Sequence, residues 1–248
     1  MNLFNRFSSL LALTALLGAG CLSGPDAAPG AGTSSGSGSV AGCSNEYYPL
    51  TSGRSITYST TPVGGRETTI TFKFLESATA DIKIEQSFSS ERGPLTITTE
   101  ADCVNGAIVS KGYADFGSAI SGLNIRTETE SVDGVFMPAR LAVGTEWTTT
   151  YRMILHTDDA RFRAMMDGKR QTATVTSKVI GEESITVPAG TFRALKVEQQ
   201  TTVNSEMLGG QEISVPGTLW LVKDTGMVKS QTNAAGSPWS MEATEITR

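Results

Sequence analysis

The sequence predicts an all-β protein built as a curling antiparallel meander, and three observations carry that prediction. Apolar and threonine-rich positions alternate with period two along much of the chain. Glycine, proline and aspartate cluster between these runs at short intervals. No long stretch of helical periodicity separates them, which argues for sequential hairpins rather than a parallel sheet fed by crossover helices.

Taken in order, the first strand reads at Thr57–Thr61, ahead of a turn signal at Val63-Gly64-Gly65. Ile70, Phe72 and Phe74 then point one way while Thr69, Thr71 and Lys73 point the other. Further strands read at Ala80–Glu85, Leu95–Thr99 and Ala107–Ser110. The stretch Tyr113–Leu123, interrupted by Gly117 and Gly122, supports no single assignment, and Asp133-Gly134 marks a turn. The clearest alternation follows: Trp147, Thr149, Tyr151, Met153 and Leu155 share one face, with His156 on the other. The segment 157–168 breaks the pattern. Asp158-Asp159 followed by Arg161-Phe162-Arg163-Ala164-Met165-Met166 fits a short helix capped by Asp158, which is the expectation, or a long hairpin tip. Thr172–Ile180, Phe192–Gln199 and Leu219–Val222 read as strands, punctuated by Val187-Pro188-Ala189-Gly190-Thr191 and Asp224-Thr225-Gly226. Threonine suits such positions because its branched side chain packs on a pleated, half-wet surface.

An internal echo is present. Leu50-Thr51-Ser52-Gly53 leads into Ile56 and Tyr58, and Leu141-Ala142-Val143-Gly144 leads into Trp147 and Tyr151. In both, a glycine lets the chain swing into the sheet before a large apolar side chain faces the core. Two related halves are one reading of this echo and coincidence is the other.

Residues 1–20 have the form of an export signal: Arg6 supplies a positive start, Leu10–Leu17 an apolar core, and Gly18-Ala19-Gly20 small residues before Cys21. The apolar core is too short to span a bilayer, which takes about 20 residues. The small residues before the cysteine resemble a lipobox, so Cys21 is expected to carry the lipid, although an ordinary signal cut near Ala19 or Gly20 fits too. Residues 21–42 are dominated by Gly, Ser, Ala, Thr and Pro and predict a flexible linker, leaving 43–248 as a single β domain. Without the signal the chain holds 19 basic against 25 acidic side chains, a net charge of −6, with no basic cluster, which argues against a nucleic-acid partner. With Cys21 lipidated, Cys43 and Cys103 are expected to pair as the disulfide of an oxidising compartment, closing a loop worth about 4 kcal/mol, with two free buried thiols as the alternative.

Four separated segments form a set: Tyr47-Tyr48-Pro49-Leu50-x-x-Gly53, Pro138 with Gly144-x-x-Trp147, Ile185–Phe192 with Ala194, Lys196, Val197 and Glu198, and Leu219–Val222 with Gly226-Met227-Val228-Lys229. Together they resemble the TapB-like domain of exported bacterial proteins and lipoproteins, from about Tyr47 to the C-terminus. Ile56 departs from the pattern, standing where a Trp is often seen. The resemblance implies a strongly curved antiparallel sheet, a half-barrel comparable in outline to envelope lipoprotein carriers. It transfers no catalytic residues.

Tests for chemistry find little. The one histidine, His156, lies opposite the apolar face of its strand and reads as a wet surface residue. Gly32-Thr33-Ser34-Ser35-Gly36 matches a nucleophile-elbow spacing but sits in the linker, with no strand or helix around it. One histidine and no spare cysteine pair leave no zinc set, and the adjacent pairs Asp158-Asp159 and Glu182-Glu183 point to opposite faces on a strand. No metal and no cofactor are expected. Met153, Phe162, Met165 and Met166 stand out as adaptable apolar material, either lining an apolar-ligand groove or plugging the core.

The sequence therefore leads to a non-enzymatic cell-envelope lipoprotein, anchored to a membrane with the outer membrane favoured, and holding an apolar ligand or an extended partner segment on its curved sheet. The alternatives are a structural protein docking to envelope partners through a sheet edge, and, further off, a carboxylate-based hydrolase.

Overall fold

The computed structural model describes residues 43–48, 50–61, 68–75, 81–89, 95–113, 125–234 and 237–247. The signal, Cys21, the linker and the turn at Val63-Gly64-Gly65 lie outside these residues, as does nearly all of Tyr113–Leu123. Twelve antiparallel strands follow one another: β1 (Ser55–Thr61), β2 (Thr68–Phe74), β3 (Asp81–Phe88), β4 (Leu95–Val104), β5 (Ala107–Ser110), β6 (Ile125–Gly134), β7 (Glu146–Thr157), β8 (Lys169–Val187), β9 (Gly190–Ser205), β10 (Glu212–Val222), β11 (Gly226–Ala234) and β12 (Ser237–Thr247). A one-turn helix α1 (Arg163–Met166) stands between β7 and β8.

The alternation read from the sequence is the burial pattern observed. On β7, Trp147, Thr149, Tyr151, Met153, Leu155 and Thr157 are buried and the residues between them are not. Several strands run further than their apolar cores. β8 continues past Ile180 to Val187 because a bulge between Val179 and Gly181 re-phases it against β9. β6, β11 and β12 were not among the strands read from periodicity. β6 reads Ile-Arg-Thr-Glu-Thr-Glu-Ser-Val-Asp-Gly, so its pairing with β7 rather than apolar content makes it a strand.

Tight turns set the meander. Asn105 and Gly106 both take positive φ and join β4 to β5 as a two-residue hairpin, the geometry whose twist matches antiparallel strands. Each strand pairs with its chain neighbours except β5 and β6, which form the two ends of the sheet, and β1 pairs with β12 over Ser55–Thr61, so the order runs β5-β4-β3-β2-β1-β12-β11-β10-β9-β8-β7-β6. The two ends of this sheet then meet. Ile108 of β5 donates to the Met137 carbonyl at 2.8 Å and accepts from Phe136 N–H at 2.8 Å, just beyond β6. The sheet thus bends further than a half-barrel and nearly closes.

The seam is braced from the N-terminal side. Cys43 and Cys103 form a disulfide, Cα to Cα 5.9 Å, which ties the incoming chain to β4. Asn45 Nδ2 donates to the carbonyls of Gly106 and Pro138, both at 2.9 Å, and its Oδ1 accepts from Tyr47 N–H at 3.0 Å. One side chain therefore stitches the N-terminal strap, the β4–β5 turn and the segment after β6.

The internal echo has a structural counterpart. Gly53 N–H donates to Phe74 carbonyl, Phe74 N–H to Arg54 carbonyl and Arg54 N–H to Thr51 carbonyl, at 2.9, 2.9 and 3.2 Å. Gly144 repeats this with Val179, Thr145 and Ala142 at 2.8, 2.9 and 2.9 Å. β1–β2 and β7–β8 thus begin identically, half a turn apart around the nearly closed sheet.

Helix α1 differs from expectation in its cap. Phe162 occupies the N-cap position and makes no side-chain cap bond, and Asp159, not Asp158, organises the turn. Asp159 accepts at its carbonyl from Phe162 and Arg163 N–H, while its carboxylate takes Arg161 N–H and the Arg161 guanidinium. That hydrogen bond from Arg161 holds the Asp159 carboxyl down to about 2.

Candidate functional site

The interior is not completely filled. Between β1–β4 on one side and β7–β10 on the other lies a cavity of about 100 Å³, covered by Tyr47 and Tyr48 of the strap and by Phe136 and Met137 beyond β6. Its wall is chiefly aromatic and aliphatic, and among the described residues that line it there is no acidic, basic or imidazole side chain.

Rings frame the space. Tyr48 stands edge-on to Phe74 and to Phe136, each at 5.7 Å between centroids, and Tyr58 edge-on to Phe72 at 5.2 Å. The Tyr58 hydroxyl donates to the Met227 carbonyl at 2.8 Å, linking β1 to the start of β11 across 169 positions of chain. Burial pushes the phenols of Tyr48, Tyr58 and Tyr151 above their ordinary range, in Tyr151 against the pull of a hydrogen bond to Ser110, so all three are neutral in physiological water.

Polar side chains enter at a few inward positions. Thr149 Oγ1 donates to the Val135 carbonyl at 2.6 Å, and Gln199 Nε2 donates to Ser177 Oγ at 3.0 Å. Gln86 of β3 is 3 % exposed; its Nε2 donates to Thr99 Oγ1 at 3.3 Å and its Oε1 has no hydrogen-bond partner.

The four residues singled out from the sequence lie elsewhere. Met153 is completely buried, packed with Tyr113, Tyr151, Ala173 and Val203. Met166 is buried against Leu155, with Phe162 and Met207 partly buried beside them. Met165, one residue away, is 41 % exposed. The structure thus brings Phe162 and Met166 together, separates them from Met153, and places none of the four in the cavity wall. His156 is partly shielded between Glu128, 3.0 Å from Nε2, and Asp167, 3.6 Å from Nδ1. Glu182 pairs with Arg193, and Glu183 accepts from Trp220 Nε1 at 2.6 Å while Lys196 and Lys229 lie over the Trp220 ring.

A sequence signal for the cavity did exist. Gln86 follows Ile82 and Ile84 in phase and precedes Phe88, Ser177 sits between Val175 and Val179, and Thr149 between Trp147 and Tyr151. A polar residue at an inward position, where apolar burial is the rule, marks a partner or an opening.

These features define a class: a nearly closed, up-and-down β structure of twelve strands around a small, uncharged, aromatic-walled cavity. The chain belongs to the DUF3108-like family, whose model matches residues 52–237. Two solved structures share the fold. A predicted exported protein of YmcC-like fold from Bacteroides fragilis aligns with a TM-score of 0.56 at 15 % identity, over 83 % of this chain and 100 % of that one. A predicted lipoprotein from Parabacteroides distasonis aligns with a TM-score of 0.56 at 16 % identity, over 83 % and 99 %. No curated protein is detectably similar to the chain.

Proposed function

We propose that this protein is a non-catalytic lipoprotein of the cell envelope, anchored through Cys21 with the outer membrane favoured, whose nearly closed sheet holds a small apolar group inside. The observation that carries this reading is the partly open interior cavity of about 100 Å³ with uncharged, largely aromatic walls. An apolar cavity of roughly 150 Å³ admits benzene, so this one suits a segment of about four to six non-hydrogen atoms. Neutral phenols, amides and hydroxyls recognise shape and a hydrogen bond, and they supply neither a nucleophile with its base nor a carboxylate pair. The anchor follows from the signal and Cys21, and the lipoprotein and exported descriptions of the structural neighbours agree with it. The four ordered signatures support a kinship with the TapB-like domains.

The test is gentle extraction of the native lipoprotein from its membrane, followed by native mass spectrometry and analysis of released small molecules. A co-purifying apolar compound, lost when Val175→Phe fills the cavity, is the expected result. A stable protein partner with no small molecule in either form would overturn the ligand reading in favour of docking. The anchor is tested separately: Cys21→Ser should move the protein from the membrane to the soluble envelope fraction.

A further inference from the structure

Resting on the cavity reading above, we infer that the ligand is uncharged and carries one hydrogen-bond donor, a hydroxyl or an N–H, which it gives to Gln86 Oε1. Thr99 sets the orientation of that amide. Thr99 Oγ1 lies 3.3 Å from the Ile84 carbonyl, an acceptor only, so the hydroxyl proton of Thr99 is directed there. Oγ1 is then left to accept, and the amide branch facing it at 3.3 Å must be the NH2 of Gln86. Oε1 is thereby the branch without a partner, on a side chain that is 97 % buried and belongs to the cavity wall.

A buried amide oxygen left unsatisfied costs about 1–3 kcal/mol, whereas the Tyr58 and Thr149 hydroxyls of the same wall already donate to backbone carbonyls. A ligand donor removes that cost. A carboxylate would bring two acceptors against an acceptor, with no cation lining the cavity to offset its desolvation, so the chemistry selects alcohols or amides over acids.

Met137 and Met227 line the cavity and Met153 and Met166 do not, which provides reporters and internal controls in one protein. The experiment uses the full lipidated chain in phospholipid nanodiscs with 13C-methyl methionine, titrated with 1-pentanol, n-pentane or pentanoate. Expected are saturable shifts of the Met137 and Met227 methyls with 1-pentanol and none with pentanoate at neutral pH. Gln86→Leu should lower the pentanol-to-pentane affinity ratio about tenfold, the equivalent of one good hydrogen bond. Thr99→Val, which releases the amide while keeping its shape, should lower the same ratio by a smaller factor and serves if Gln86→Leu does not fold. A ratio unchanged in both variants overturns the inference while leaving the cavity reading intact, and it would mean that water satisfies Oε1. If neither pentanol nor pentane moves the two reporters in the wild type, the cavity reading itself fails.

Discussion

Asn45 is the residue whose replacement tests the account of closure most directly. Its side chain makes three hydrogen bonds, two donated to the carbonyls of Gly106 and Pro138 and one accepted from Tyr47 N–H. At about 1 kcal/mol net for each, Asn45→Ala should cost about 3 kcal/mol. With a urea slope of about 2–3 kcal/mol per molar, the unfolding midpoint should fall by about 1–1.5 M. Asn45→Asp sharpens the test. The carboxylate still accepts from Tyr47, yet it now faces two carbonyl oxygens that Nδ2 served at 2.9 Å. Only the protonated acid can donate there, so the folded state should raise this carboxyl above its usual value near 4. The folded protein then binds more protons than the unfolded chain between the two values, and stability falls as pH rises through that window. Asn45→Asp should therefore be at least as stable as Asn45→Ala below about pH 4 and become the less stable variant towards pH 7. Urea melts of the three proteins from pH 3.5 to 7.5 measure this. A midpoint shift under about 0.5 M for Asn45→Ala, or pH-independent behaviour of Asn45→Asp relative to it, would refute the idea that this side chain stitches the seam.

Two further comparisons isolate single causes. Gly134 and Gly144 share a φ of +91°, but a Cβ on Gly134 would lie 2.1 Å from the Thr148 carbonyl oxygen whereas one on Gly144 meets nothing within 4 Å. Gly144→Ala should cost about 1–2 kcal/mol in thermal or urea melts from the backbone alone, and Gly134→Ala should cost clearly more or prevent accumulation of folded protein. Met153, fully buried, and Met165, 41 % exposed, were equivalent in the sequence. Met153→Ala should lose about 2–5 kcal/mol by the same melts, and Met165→Ala should stay within about 0.5 kcal/mol of the parent.

Legibility in the sequence followed the range of the interactions. The inward faces of β2 and β7 were readable because a strand's side chains alternate whatever the strand pairs with. The Leu-x-x-Gly lead-ins at Gly53 and Gly144 were readable because a positive φ is a local demand. The Cys43–Cys103 bond followed from compartment and count. β6 was not readable: its Thr and Glu alternation has little apolar signal, and its ladder with β7 makes it a strand.

By itself the sequence determined which side chains of the clearly alternating strands face inward and where turns such as those at Gly190 and Gly226 fall, since backbone pleat and φ preference act over a few residues. The tertiary structure alone decided that β1 meets β12, that Ile108 meets Met137, and hence that the inward faces enclose a space instead of a groove. It also decided that Met153 and Met165 part company and that Gln86 is left with an unpartnered oxygen beside aromatic walls. The physical reason is register. Alternation specifies a face but not the distant strand that will cover it, and enclosure depends on contacts as remote as Tyr58 with Met227, which no local pattern encodes.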